Sequence, residues 1–239
     1  MFDFEKLRGK TIVITGASRG IGYETARQLA NFGTNLVLGS RNITNLSLEG
    51  FERASSVSLV EVDVSDEDSV KNFFQDTVEK YGSVDVLINS AGTGVFASIL
   101  ESDTQDFDMM ISVNLKGTYL CSKYFGKHMM EQKNGRILNI VSIAGITAIP
   151  GCGGYCASKF GVLGLTRVLQ AELRSHGVYV SAVIPGAVNS KFWDNIEPKP
   201  DIRKMISVET LAKHIIYLLI QPEDASIDEV VITPPLGIL

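Results

Sequence analysis

Tyr155 and Lys159 stand four residues apart in the stretch GGYCASKFG, Gly153 to Gly161. The stretch reads as the start of a helix. Residues at i and i+4 share a helix face, so a phenol and an ammonium there act on one small volume. A free phenol has a pKa of about 10, and a neighbouring ammonium favours its anion and draws it toward working pH. The pair has the chemistry of a proton donor with its tuner; taken alone it is equally a pair on a helix surface.

A second chemical segment lies upstream. TGASRGIG follows the apolar run TIVIT and holds Gly16, Gly20 and Gly22, with Ser18, Arg19 and Ile21 among them. Small residues let backbone approach a pyrophosphate, and the free N–H groups opening the next helix favour an anion. The spacing differs from the commonest G-x-G-x-x-G turn, and a glycine turn that only packs helix on strand is the alternative. The next apolar run ends in LGSRN, with Ser40 and Arg41 and no acid. An acid there would bind a ribose 2′-hydroxyl and repel a 2′-phosphate. Arg41 and Arg19 instead offer charge-assisted bonds to that phosphate, so the expected cofactor is NADP(H); two solvated arginines are the competing reading.

Two further segments follow apolar runs. Asp63 and Val64 sit in EVDVSDEDSV, where Asp63 either accepts from an adenine amino group or satisfies turn amides while Ser65 caps a helix. Asn89, Ala91 and Gly92 in NSAG offer small groups against a cofactor, or make an ordinary strand-to-helix turn.

The elements that position these segments alternate along the chain. Apolar runs begin at Thr11, Asn35, Val57, Val84, Arg136, Val178 and Asp228, and helical patterns cover Ile21 to Phe32, Asp66 to Tyr81, Thr104 to Met130 and Tyr155 to His176. A late helix starts near Ser207 as its N-cap. Near-continuous hydrophobicity suits parallel strands covered on both faces, and the alternation predicts an α/β, doubly wound parallel sheet. Ligands bind beyond the carboxyl ends of such strands, where every segment above falls. The apolar helix FGVLGLTRVLQAEL suits burial against another helix or subunit.

At 239 residues, with 45% hydrophobic and 21% charged residues, the chain fits one domain over 1–239. A net charge of -5 gives no basic footprint for nucleic acid or an anionic membrane. Cys121, Cys152 and Cys156 form no CxxC, so neither a disulfide framework nor zinc is favoured, and a reducing cytoplasmic compartment is expected. The first residues, MFDFEKLRGK, lack an apolar core, so neither a signal peptide nor a membrane helix is expected.

TGASRGIG, NSAG, VNLKG, IVSIAG, YCASK and IPGAV occur in an order and spacing that resembles the short-chain dehydrogenase/reductase family over nearly the whole chain. The resemblance implies a Rossmann-type seven-stranded sheet of order 3-2-1-4-5-6-7, a nicotinamide dinucleotide, hydride transfer at a carbonyl carbon, and homodimers or homotetramers. It assigns Asn114, Ser142, Tyr155 and Lys159 as the catalytic set. Tyr155 is the acid, Lys159 lowers its pKa and holds the ribose, Ser142 bonds the substrate oxygen, and Asn114 anchors a water that resupplies protons. Pro185, Gly186 and Val188 match the turn after the sixth strand, and Ser190, where threonine is common, bonds the carboxamide.

Substrate choice is expected from IAGITAIPGCGG and from a lid at about 187–206, in which Phe192 and Trp193 either cover the site or pack the segment down. Cys152 and Cys156 read as packing residues. The end ASIDEVVITPPLGIL resembles reductases of small or free carbonyl compounds more than carrier-protein-linked 3-oxoacyl reductases. It also puts the family's C-terminal tetramer contact in doubt. The leading expectation is an NADPH-dependent carbonyl reductase or alcohol dehydrogenase acting on a small molecule. The alternatives are a 3-oxoacyl carrier-protein reductase, recognising its acidic carrier through Lys191, Lys199, Arg203 and Lys204, and a non-catalytic dinucleotide sensor or scaffold.

Overall fold

The apolar runs become seven strands: β1 (Thr11–Thr15), β2 (Asn35–Ser40), β3 (Ser56–Glu61), β4 (Val86–Asn89), β5 (Gly135–Ile140), β6 (Val178–Pro185) and β7 (Glu229–Ile232). The computed structural model describes residues 3–44, 46–194, 196, 201–222 and 224–237. The strands form one sheet in the order β3-β2-β1-β4-β5-β6-β7, each neighbour parallel, as the resemblance implies.

Alternate strand residues point to opposite faces, and both faces are buried. Ile12, Ile14, Leu36 and Leu38 pack with α1 (Gly20–Ala30) and α6 (Val208–Leu219) through Leu29, Leu211 and Ile215. Val13, Val37, Leu87 and Ile137 pack with α2 (Glu67–Tyr81) and α4 (Gly117–Gln132) through Phe73, Phe125 and Met129. On α5 (Gly153–Leu173), Val162 and Leu163 pack against Ala182 and Ile184 of β6. This double burial is why the runs lack polar alternation. Among the described residues no helix is long and apolar enough to cross a membrane.

The helix expected to run unbroken from Thr104 to Met130 is interrupted. After α3 (Thr104–Met110) the chain forms a π-helical stretch, Ile111–Lys116, before α4 begins. There the Gly117 N–H donates to the Ser112 carbonyl, five residues back. Such a bulge widens the helix and re-aims its side chains, commonly at functional positions; Asn114 lies within it. Capping also differs at α2. The Asp66 carboxylate accepts from the Ser69 N–H at 2.7 Å and is the cap, while Ser65 donates through its N–H and hydroxyl to Asp63 Oδ1 at 2.9 and 2.7 Å. Ser207 caps α6 as expected, accepting from the Thr210 N–H at 3.1 Å.

A buried polar chain ties the sheet to α5. Asn89 Nδ2 donates to Asn139 Oδ1 at 2.8 Å and to Ser122 Oγ at 3.1 Å, and Asn139 Nδ2 donates to Thr166 Oγ1 at 2.9 Å. Farther along, two short strands, Val188–Asn189 and Ile206–Ser207, pair in parallel and bring the ends of the 187–206 segment together. Residues 195 and 197–200 of that segment lie outside the described residues. Asn139→Leu removes both of its bonds in a fully buried setting. Urea unfolding is expected to show a loss of about 1–3 kcal/mol for each partner left unpaired; an unchanged midpoint would remove the chain's structural role.

Candidate active site

A cleft of about 600 Å³ crosses the carboxyl ends of the strands. Its first wall is the turn after β1. Gly16 has φ +67°, and a Cβ there would lie 2.7 Å from Ala91 Cα, so only glycine lets this turn lie against the chain leaving β4. The helix α1 that follows has no side-chain cap, unlike α2 and α6, so its first N–H groups are left without a capping side-chain acceptor. Ser18, Arg19, Gly20 and Ile21 line this end. Beside them the Ser40 hydroxyl donates to Ser18 Oγ at 2.9 Å, and Arg19 and Arg41 are exposed. Asp63 and Val64 close the wall. Burial works to raise the Asp63 carboxyl, but hydrogen bonds from Ser65 and the charge of Arg41 hold it below its ordinary range. Asp63 thus satisfies the turn and also lines the cleft.

The other end holds Ser142, Tyr155 and Lys159, with Ala91 and Gly92 on one side and Pro185, Gly186, Val188 and Ser190 on the other. Lys159 Nζ lies 5.8 Å from the centre of the Tyr155 ring, confirming that the two share a helix face. Lys159 is only 5% exposed and donates to the Ile140 carbonyl at 2.9 Å. Burial pushes its ammonium down to about 8. Burial also pushes the Tyr155 phenol up to about 12, opposed by a hydrogen bond with the Ser142 hydroxyl. In the chain by itself desolvation outweighs the Ser142 hydrogen bond, so the phenol lies above its ordinary value. Ser142 Oγ also accepts from the Ala144 N–H at 3.1 Å, which fixes the hydroxyl at the end of β5.

Three expected residues stand behind the walls. Gly22 packs within α1, where a Cβ would meet the Gly16 carbonyl at 2.6 Å. Asn89 Nδ2 is committed to the buried polar chain, while its Oδ1 is buried without a hydrogen-bond partner. Asn114 is 1% exposed; its Nδ2 donates to the Thr93 carbonyl and Ser158 Oγ, both at 2.9 Å, and its Oδ1 accepts from the Thr93 N–H at 2.8 Å. Its backbone carbonyl accepts from Thr118 Oγ1 at 2.7 Å.

Sequence reasoning passed over Ser158, Thr93 and Phe96. Ser158 Oγ donates to the Tyr155 carbonyl at 2.8 Å while accepting from Asn114, so it joins the π-helical stretch to the turn that carries Tyr155. Its place between Tyr155 and Lys159 was visible, but a lone serine announces no partner. Thr93 and Phe96 line the cleft in the connection after β4, a position that marked them by topology alone. Cys152 and Cys156 are buried beside Ala144, with Phe96, Ile149 and Tyr155 packed against them, in accord with a packing role. Of the basic set, Lys191 lines the cleft, Arg203 pairs with Asp201 at 2.9 Å, and Lys199 lies outside the described residues. Phe192 and Trp193 line the cleft, and the Trp193 indole N–H donates to the Val188 carbonyl at 2.9 Å, so Trp193 is at once a lining residue and tied down to the short strand.

Residues 10–201 match the family described as short chain dehydrogenase. The chain belongs to that family. It is 35% identical over 198 residues to a 3-oxoacyl-[acyl-carrier-protein] reductase of Synechocystis sp., covering 81% of this chain and 80% of the relative. An alcohol dehydrogenase from the archaeon Thermococcus sibiricus, complexed with 5-hydroxy-NADP, superposes with a TM-score of 0.87 at 33% identity, covering 94% of this chain and 96% of that one. A metagenomic short-chain oxidoreductase in complex with NADP gives a TM-score of 0.83 at 32% identity, covering 97% and 99%.

In this short chain dehydrogenase the Ser158 strut generates a prediction. Ser158→Ala leaves Asn114 one acceptor short in a buried setting and is expected to cost about 1–3 kcal/mol in urea unfolding. Wild-type stability in the variant would show that the strut bears no load.

Proposed function

We propose that the chain is an NADP(H)-dependent oxidoreductase that interconverts a ketone or aldehyde and its alcohol, with Tyr155 as general acid and base. The observation that carries this reading is the Tyr155 phenol within hydrogen-bonding reach of Ser142, one helical turn from Lys159, in the cleft whose far end is the uncapped start of α1. The residues fit a nicotinamide dinucleotide: the turn from Gly16 to Gly22 for the pyrophosphate, Ser40, Arg41 and Arg19 for a 2′-phosphate, and Asp63 and Val64 for the adenine. Asn89, Ala91 and Gly92 support the middle, and Pro185, Gly186, Val188 and Ser190 suit the nicotinamide end. The NADP-type ligands of the two structural neighbours support the same choice. Bound there, the dinucleotide supplies or takes the hydride.

The chain's own residues handle the oxygen and the proton. With its pKa near 12, Tyr155 is a neutral phenol at physiological pH and holds the proton that a forming alkoxide needs. Ser142 is placed to donate to the same oxygen. Lys159 steadies the phenolate left behind, and Asn114 keeps the Tyr155 turn in register through Ser158. The 187–206 segment supplies the substrate-side wall through Phe192 and Trp193. The outward face of α5, with Phe160 and Val168 exposed, is our choice for self-association into a homodimer or homotetramer, and three buried free cysteines accord with a reducing cytoplasmic compartment.

A second reading, reduction of a 3-oxoacyl thioester, rests on the likeness to the Synechocystis reductase. One assay addresses both: NADPH oxidation followed by absorbance over ketones, aldehydes and acetoacetyl thioesters. NADPH binding without turnover on any of them would favour a sensor. Tyr155→Phe is expected to lower turnover by about 10²–10⁴-fold while calorimetric NADPH affinity holds; full residual activity would reject Tyr155 as the acid. Arg41→Asp is expected to weaken NADPH by about tenfold or more relative to NADH. An unchanged NADPH/NADH preference would remove Arg41 from the cofactor assignment.

A further inference from the structure

The substrate end of the cleft is built from rings. Phe96 meets Tyr155 at 5.6 Å between centroids, Phe192 at 6.1 Å and Trp193 at 5.8 Å. Phe192 in turn meets Tyr155 at 5.6 Å and Trp193 at 5.5 Å. The contacts are tilted or edge-on, the arrangement aromatic quadrupoles prefer. Gly94 makes room for this: a Cβ there would lie 2.5 Å from the tip of the Phe192 ring and 3.2 Å from Tyr155 Cδ2. The Phe192 ring therefore lies against both the Gly94 backbone and the proposed acid.

Free charged groups are scarce here. The Trp193 N–H is committed to the Val188 carbonyl, so this residue offers the cleft an apolar surface. Among the described lining residues, Arg19, Arg41 and Asp63 belong to the opposite end, Lys159 is tied to Ile140, and Lys191 is exposed. A carboxylate or phosphate close to the reacting carbonyl would lose water with no buried cation free to receive it. A flat apolar substituent would instead find ring faces and edges on several sides.

Resting on the oxidoreductase reading above, we propose that the substrate is an uncharged carbonyl compound bearing an aryl or similarly flat apolar group, selected by Phe96, Phe192 and Trp193. Phe192 is the discriminating residue, because its ring contacts the acid and lines the space beside it.

The test uses the full chain with NADPH, comparing acetophenone, butan-2-one and an acetoacetyl thioester. It also exploits Trp193, the single tryptophan in the sequence, whose fluorescence reports occupancy when acetophenone is titrated in the presence of NADP⁺ without turnover. The expected result is kcat/KM for acetophenone above that for butan-2-one by about tenfold or more, with saturable fluorescence change. Phe192→Ala is expected to shrink that ratio, and Phe192→Leu, which keeps apolar bulk, to shrink it with less risk to folding. Equal or better kcat/KM on butan-2-one or the thioester would overturn the aryl assignment while leaving the oxidoreductase reading intact. Saturable acetophenone binding with no turnover on any carbonyl would uphold the aryl pocket and overturn the oxidoreductase reading. Neither binding nor turnover would overturn both.

Discussion

A buried ammonium constrains everything near the floor of the cleft. Lys159 is nearly enclosed and reaches the carbonyl of Ile140 at the end of β5. Taking a cation out of water is costly unless dipoles or charges replace the solvent, and burial pushes the Lys159 ammonium down to about 8. For that contact to form, α5 must enter the sheet at one height. The entry is tight: at Gly145 a Cβ would lie 2.9 Å from the Lys159 carbonyl oxygen and 2.6 Å from Val141 Cγ1. Once Lys159 is seated, the helix pitch sets Tyr155 one turn earlier, facing Ser142.

That height is reinforced by polar groups that never see the substrate. The chain Asn89, Asn139 and Thr166 crosses from β4 through β5 to α5, and Ser158 with Asn114 links α5 to the π-helical stretch. Every member is buried, so a donor or acceptor left unpaired there sits in a medium that cannot solvate it. Directional bonds of this kind hold a helix against sliding in a way that the apolar contacts of Val162 and Leu163 do not. The site's accuracy is thus stored in the core beneath it.

Much of this was legible in the sequence, for physical reasons that differ by element. Strands buried on both faces advertise themselves as apolar runs, and their alternation with helices put the chemical segments at one edge. Tyr155 and Lys159 were legible because helical spacing is rigid. The π-helical stretch was not, since ISVNLK carries the same apolar pattern as an ordinary helix. Ser65 looked like a cap because serine suits caps, yet Asp66 stands one residue nearer the helix. The phenol's upward shift was likewise hidden: the sequence shows the cation beside Tyr155 but not how much water the fold removes from both.

The short pairing of Val188–Asn189 with Ile206–Ser207 separates the segment that faces substrate from the sheet that supports it. Because these two strands pair in a sheet of their own, the connection between them is a loop whose length the seven-stranded sheet does not set. Lengthening such a loop costs little, about 0.6 kcal/mol per doubling. The number of residues in that connection is therefore free to vary, whereas Phe192, which packs against Tyr155 and the Gly94 backbone, ties its composition to the shape of the cleft.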